Sequence, residues 1–226
     1  MQPQLEKDLN GLKDTLLTMA SHAEAAVKTA MRAFAERDDD LARQVKERDT
    51  VIDQLEIDVD EQVIHLLSKA PLAGDLRFII MAMKISHDLE RVGDEATTIS
   101  RRVLELNHEP PMKDHIDLPH MAELATGMLN DALDAFVHRN PEKARQVVPR
   151  DKEVDRLNKQ ASRVLASYMV ESPQRITRCL NLMVVSKCLE RIADHAANIA
   201  EEIVYLYEGK DIRHAGEKQG QGAAKP

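Results

Sequence analysis

The segment Ala42-Arg43-Gln44-Val45, followed by Arg48-Asp49 and Asp53, reappears as Ala144-Arg145-Gln146-Val147, Arg150-Asp151 and Asp155, each residue displaced by 102 positions. The correspondence extends outward on both sides. Met19-Ala20 meets Met121-Ala122, Ala33-Phe34 meets Ala135-Phe136, Leu55 meets Leu157 and Pro71 meets Pro173. Past the prolines the displacement falls to 100, because Leu72–Gly74 makes a slightly longer turn than its counterpart. Leu89-Glu90-Arg91 and Asp94 then meet Leu189-Glu190-Arg191 and Asp194. Order kept over some 90 residues marks a duplicated structural unit.

Each copy divides into three helical segments. In the first they run from about Leu5 to Glu36, Asp39 to Lys69 and Asp75 to Leu106. Asp38-Asp39-Asp40 puts acids at a helix start, where the dipole favours them, and Pro71 stops the second segment. In the second copy a helix spans about Leu118 to Arg139, and Asn140-Pro141 and Ser172-Pro173 read as N-caps followed by a first-turn proline. Pro149 falls inside the helix that follows Asn140 and predicts a kink just before Asp151. The run Asn107-His108-Glu109-Pro110-Pro111 separates the copies. Long segments with short turns pack as bundles through apolar stripes, such as Val45, Ile52, Leu55, Val59, Val63 and Leu66. The expected fold is all-α: two three-helix bundles in tandem, at 1–110 and 111–212, with a disordered tail at 213–226.

Composition narrows the function classes. Aromatics are only 3% and there is no Trp, so the core is aliphatic and suits helices. A net charge of −8 disfavours a nucleic-acid surface, which needs a basic field. The polar N-terminus resembles no signal peptide, and no apolar run approaches a membrane span. Cys179 and Cys188, nine residues apart on one helix, point to opposite faces and fit reduced thiols. A cytoplasmic protein that meets membranes only through partners is expected.

The charged residues are the candidate chemistry. Asp49, Asp53, Glu56 and Asp60 fall within about 60° on one helix, a line of mutually repelling carboxylates that cations would offset. On the third helix Glu90 and Asp94 continue the apolar line of Leu76 and Met83, in a segment apolar nearly all round and so expected to be packed on several sides. Two acids there should be partly buried, and buried carboxylates need cations or donors. The second copy repeats the pattern with Asp151, Asp155, Glu190 and Asp194, but has Asn158 and Ser162 for Glu56 and Asp60. If the second and third helices of a copy face each other, four carboxylates converge on a hard-oxygen site suited to iron, manganese or magnesium. His87, one turn before Glu90, and Asn198, one turn after Asp194, are possible further ligands; the counterpart of His87 is Lys187. Arg91 and Arg191 neutralising carboxylates of a neighbouring helix is the structural alternative.

Asp88-Leu89-Glu90-Arg91-Val92-Gly93-Asp94-Glu95-Ala96 and Cys188-Leu189-Glu190-Arg191-Ile192-Ala193-Asp194-His195-Ala196-Ala197-Asn198-Ile199 resemble the two signatures of the PhoU family, and Gly209–His214 resembles its closing segment. The likeness covers nearly the whole chain apart from the tail. It implies six helices in two bundles, often a dimer. It also implies negative regulation of the phosphate-starvation response and of phosphate uptake, linking the ATPase subunit of the phosphate ABC transporter to a sensor histidine kinase. Some members of the family carry iron or other metal clusters at such acidic motifs, and others are metal-free.

Other functions fit the residues less well. A ferritin-like di-iron enzyme needs Glu-x-x-His pairs on two helices, and the pair Glu105–His108 is unrepeated and lies at a helix end. There is no phosphate-binding glycine loop and no nucleophile arrangement. The chain therefore reads as a non-enzyme. A carboxylate-bridged metal protein with a redox or storage role is the alternative.

Overall fold

The duplication is visible in how the first helix of each copy ends. In the structure, a computed structural model that describes residues 3–69, 72–110 and 116–213, α1 (Pro3–Glu36) closes on Arg37 with φ 55°. There the Asp38 amide donates to the Ala33 carbonyl at 3.0 Å. The helix α4 (Leu118–Val137) ends the same way, with Arg139 at φ 51° and the Asn140 amide 2.9 Å from the Ala135 carbonyl. A left-handed residue after the last turn satisfies carbonyls that the helix leaves unpaired. Asp38 then caps α2 (Asp39–Leu67) by accepting from the Asp40 and Leu41 amides, and Asn140 caps α5 (Pro141–Val147) by accepting from Lys143.

Beyond α5 the predicted kink takes the form of a 3-10 turn over Val148–Arg150, centred on Pro149, before α6 (Asp151–Glu171). Proline removes the amide that a continuous helix would use. Ser172 departs from the expectation. It makes no side-chain cap, Pro173–Arg175 form a separate 3-10 turn, and α7 (Ile176–Glu208) starts after them. Gly209, at φ 68°, ends α7 by donating to Tyr205. In the first copy α3 (Ala73–Asn107) is the counterpart of α7. Pro71, Pro111 and all of the expected tail except Arg213 lie outside the described residues.

The core of each copy is lined by small and sulfur-bearing residues at matching positions. Met19, Ala23, Ala30 and Ala33 on α1 are buried, as are Met121, Ala125, Ala132 and Ala135 on α4. Alanine faces let helix axes approach closely and preserve interior packing density. Ser86 on α3 donates to the Met19 sulfur at 3.4 Å, and the Ser186 hydroxyl on α7 lies 3.6 Å from the Met121 sulfur. The two copies meet along α3 and α7, which run antiparallel: Glu95 pairs with Arg191, Asp88 with His195 and Lys84 with Glu202, at 3.0, 2.8 and 2.9 Å.

One packing expectation fails. Leu76, Ile80 and Met83 on α3 are exposed, and their counterparts Ile176 and Leu180 are exposed too, Leu180 to 50%. The first turns of α3 and α7 are therefore wetted on one face rather than enclosed. Only farther along, where α2 or α6 lies against that face, does it become buried.

Candidate metal centre

At Gly93 the helices α2 and α3 approach closely. A Cβ there would lie 2.9 Å from Ile52 Cδ1 and 3.4 Å from Asp49 Oδ1, so the absent side chain is what lets the acidic line of α2 reach α3. The second copy reaches the same contact with the opposite division of atoms. Its residues are Ala193 and Val154, both buried, with one methyl more on α7 and one fewer on α6.

Across this contact Asp49 feels the charge of Asp94, and Glu90 that of Glu56. Asp49 is half-buried, and its carboxyl is pushed up from the usual range by burial and then by the charges of Asp53 and Asp94. Glu90, with only 14% of its side chain exposed, is pushed up to about 6 by burial, by Asp94 and by Glu56. Its Oε2 is shielded from solvent and has no hydrogen-bond partner. Arg91 stands 3.2 Å from that oxygen, out of line for a hydrogen bond, and 3.1 Å from Asp94, whose side chain is 48% exposed. Asp53 lies at the exposed rim.

The second copy is deeper. Glu190 is 8% exposed at its side chain, and Asp151 and Asp194 are half-buried. Burial raises the carboxyls of both Asp151 and Asp194, with the charge of Asp155 adding to the shift of Asp151 and that of Asp151 to the shift of Asp194. Asp151 Oδ1 and Glu190 Oε2 are shielded and lack hydrogen-bond partners. Asp155 sits at the rim, 3.0 Å from Lys159.

The ion-pair alternative is thus partly realised. Arg91 serves acids of its own helix, whereas Arg191 turns away to Glu95 of the other copy and leaves Glu190 to Lys187. Among the extra ligands, His87 is 59% exposed, with Nδ1 3.4 Å from Glu56 Oε1. Donor atoms of Glu56, His87 and Glu90 all lie within 4.8 Å of one another. Asn198 faces the groove between the copies, where its amide contacts Asp88 at 3.4 Å, beside Glu56 and His87 of the first copy. Sequence reasoning placed Glu56 in the acidic line and left it out of the ligand set. Its 3-residue step from Asp53, onto the side nearest His87, was the available signal. The role of Lys187 was also missed, though its position opposite His87 in the repeat was plain.

Comparison with known proteins follows this duplication. The PhoU domain model matches twice, at residues 16–103 and 118–203. A phosphate-specific transport system accessory protein PhoU homolog from Pseudomonas putida is 40% identical over 218 residues, covering 96% of this chain and 85% of that protein. A homolog of the same description from Aquifex aeolicus is 37% identical over 212 residues, 93% and 96% of the two chains. The crystal structure of PhoU from Pseudomonas aeruginosa superposes with a TM-score of 0.88 at 39% identity, covering 91% of this chain and 99% of that one. That of the phosphate transport system regulatory protein PhoU from Streptococcus pneumoniae gives 0.85 at 28% identity, covering 92% and 99%. Two matched domains, and relatives alike over nearly their whole length, make this chain a member of the PhoU family.

Proposed function

We propose that the protein is a negative regulator of the phosphate-starvation response and of phosphate uptake. In this reading it works in the cytoplasm as a homodimeric adaptor between the ATPase subunit of a phosphate ABC transporter and a sensor histidine kinase. It acts by binding rather than by catalysis. The observation that carries the reading is the match of both halves to the PhoU domain, together with relatives described as accessory proteins of phosphate-specific transport. The exposed pairs Leu76/Ile80 and Ile176/Leu180 support it, because paired apolar faces suit a molecule that holds two partners. Among the described residues no helix is long and apolar enough to cross a membrane, so membrane association would run through the transporter.

The inward carboxylates take a divalent cation in this reading, with Asp49, Asp53, Glu90 and Asp94, and Asp151, Asp155, Glu190 and Asp194, as the candidate ligands. Iron, manganese and magnesium fit an oxygen-rich donor set. Shielded oxygens without hydrogen bonds, on Glu90 and Asp151, are what such a cation would satisfy.

The test is genetic. Deleting the gene should derepress a phosphate-responsive reporter in phosphate-rich medium. The wild-type gene should restore repression, and Glu90→Ala with Asp94→Ala should restore it poorly. An unchanged reporter in the deletion strain would refute the regulatory role.

A further inference from the structure

Of three positions grouped at the buried glutamate, the two copies share one and differ at two. In the first copy these are Glu56, His87 and Glu90, whose donor atoms lie within 4.8 Å of one another. An ion about 2.1 Å from each donor holds the donors roughly 3–3.6 Å apart, so side-chain rotations that draw the three together by about an ångström complete the set. Both carboxylates and the imidazole reach the same point from two helices. His87 opens onto a groove of about 530 Å³ that also runs along α7, giving an ion an entry path. Arg91 approaches Glu90 from the solvent side without hydrogen-bond alignment and leaves Oε2 unsatisfied.

In the second copy the same positions are Asn158, Lys187 and Glu190. The Asn158 side-chain oxygen is already used, accepting from Ser186 at 2.8 Å. Lys187 pairs directly with Glu190 Oε2 and approaches it more closely than Arg91, at 3.2 Å, approaches Glu90 Oε2. A tethered ammonium therefore stands where the first copy offers an imidazole nitrogen and open space. The duplication supplies its own comparison: one copy carries its cation covalently, and the other carries ligands.

We propose that the pocket of the first copy alone is a transition-metal site, formed by Glu56, His87 and Glu90, and that Lys187 is the built-in cation of the second. One imidazole and two carboxylates favour Mn²⁺, Fe²⁺ or Zn²⁺ over Mg²⁺, which prefers oxygen and retained waters. The proposal rests on the cation-binding reading above, refines which copy it applies to, and fails separately from it.

The experiment is titration of the chelator-treated full chain with Mn²⁺ by calorimetry, with bound metal checked by elemental analysis. Wild type should bind one equivalent that millimolar Mg²⁺ does not displace. His87→Lys installs the cation of the second copy at an exposed position. It should cost at least the ~100-fold in affinity that changes beyond the ligands themselves can reach at metal sites. Asn158→Glu with Lys187→His should raise the stoichiometry to two, a gain that damage to the fold cannot mimic. Mn²⁺ binding that His87→Lys leaves intact, or two equivalents in wild type, would overturn the asymmetry while leaving cation binding in place. No binding by wild type would overturn both readings.

Discussion

Gly93 and Ile52 form a contact that the duplication has solved twice. A methyl added at Gly93 meets Ile52 Cδ1 at 2.9 Å, a distance that forces movement, and the second copy removes that methyl by using valine where it uses alanine. Gly93→Ala gains ~1 kcal/mol of helix propensity and loses ~1–3 kcal/mol to overpacking. It should therefore be neutral to destabilising alone, and stabilising in an Ile52→Val background. A double-mutant cycle by denaturant unfolding should show coupling of at least ~1 kcal/mol; additive effects would contradict the contact. The left-handed arginines give a second test. Arg37 and Arg139 share a strained backbone, but among the described residues the Arg37 guanidinium alone caps carbonyls, those of Leu106, Asn107 and Glu109 at the end of α3. Arg139→Gly relieves a left-handed strain of ~1–2 kcal/mol, offset in part by the freedom glycine adds to the unfolded chain, for a net gain of up to ~1 kcal/mol. Arg37→Gly loses the capping bonds and should destabilise. Equal melting-temperature shifts for the two variants would show that the capping bonds contribute nothing.

At the scale of the element, α2 and α3 hold acids against each other at a cost that pH can read. Glu90 titrates near 6 in the fold against an ordinary value of 4.5, so between those values the folded chain binds more protons than the unfolded chain. Stability then rises as pH falls through 6 and is lost as pH climbs back. The raised carboxyls of Asp49, Asp151 and Asp194 act in the same sense. Surface acids held low by partners, such as Asp8 with Lys69 and Glu208 with Arg145, act oppositely but only at still lower pH. Metal-free protein should therefore melt at a higher temperature at pH 5.5 than at pH 7.5; a lower one would mean that the acids are not electrostatically strained. Much of this pairing was legible from residue types. The 4-3-4 spacing of the acids and the place of Glu90 on an inner line pointed to a meeting of four carboxylates if the two helices faced each other; the structure groups Glu56, His87 and Glu90 within 4.8 Å instead. The reason offered for burial was only half right: the line through Leu76 and Met83 is exposed, and Glu90 is covered because α2 crosses it at Gly93. A glycine's permission for close approach cannot be read from periodicity. Whether a lysine or arginine turns to its own helix or to another, as Lys187 and Arg191 do, depends on tertiary neighbours that spacing does not encode.

For the molecule as a whole, the repeat, the prolines and the caps at Asp38 and Asn140 carried the architecture. The wetted apolar faces at Leu76/Ile80 and Ile176/Leu180 were not foreseen, since an all-apolar segment reads the same whether it meets core or partner. Under the proposed adaptor role, whose partners would be the transporter ATPase and the kinase, the recurrence of these faces in both copies makes them the candidate docking surfaces. Ile80→Asp with Leu180→Asp should leave helicity and melting temperature near wild type, because neither side chain is buried. Co-purification with the transporter ATPase or the kinase should be lost; retention of both partners would move docking elsewhere. The account is tested most directly at the pocket on which its chemistry converges, by anomalous X-ray scattering from crystals of the full chain grown with Mn²⁺. A single strong peak bounded by Glu56, His87 and Glu90, with none beside Glu190, is the predicted result. Manganese confined to surface carboxylates, or no ordered ion at all, would contradict it.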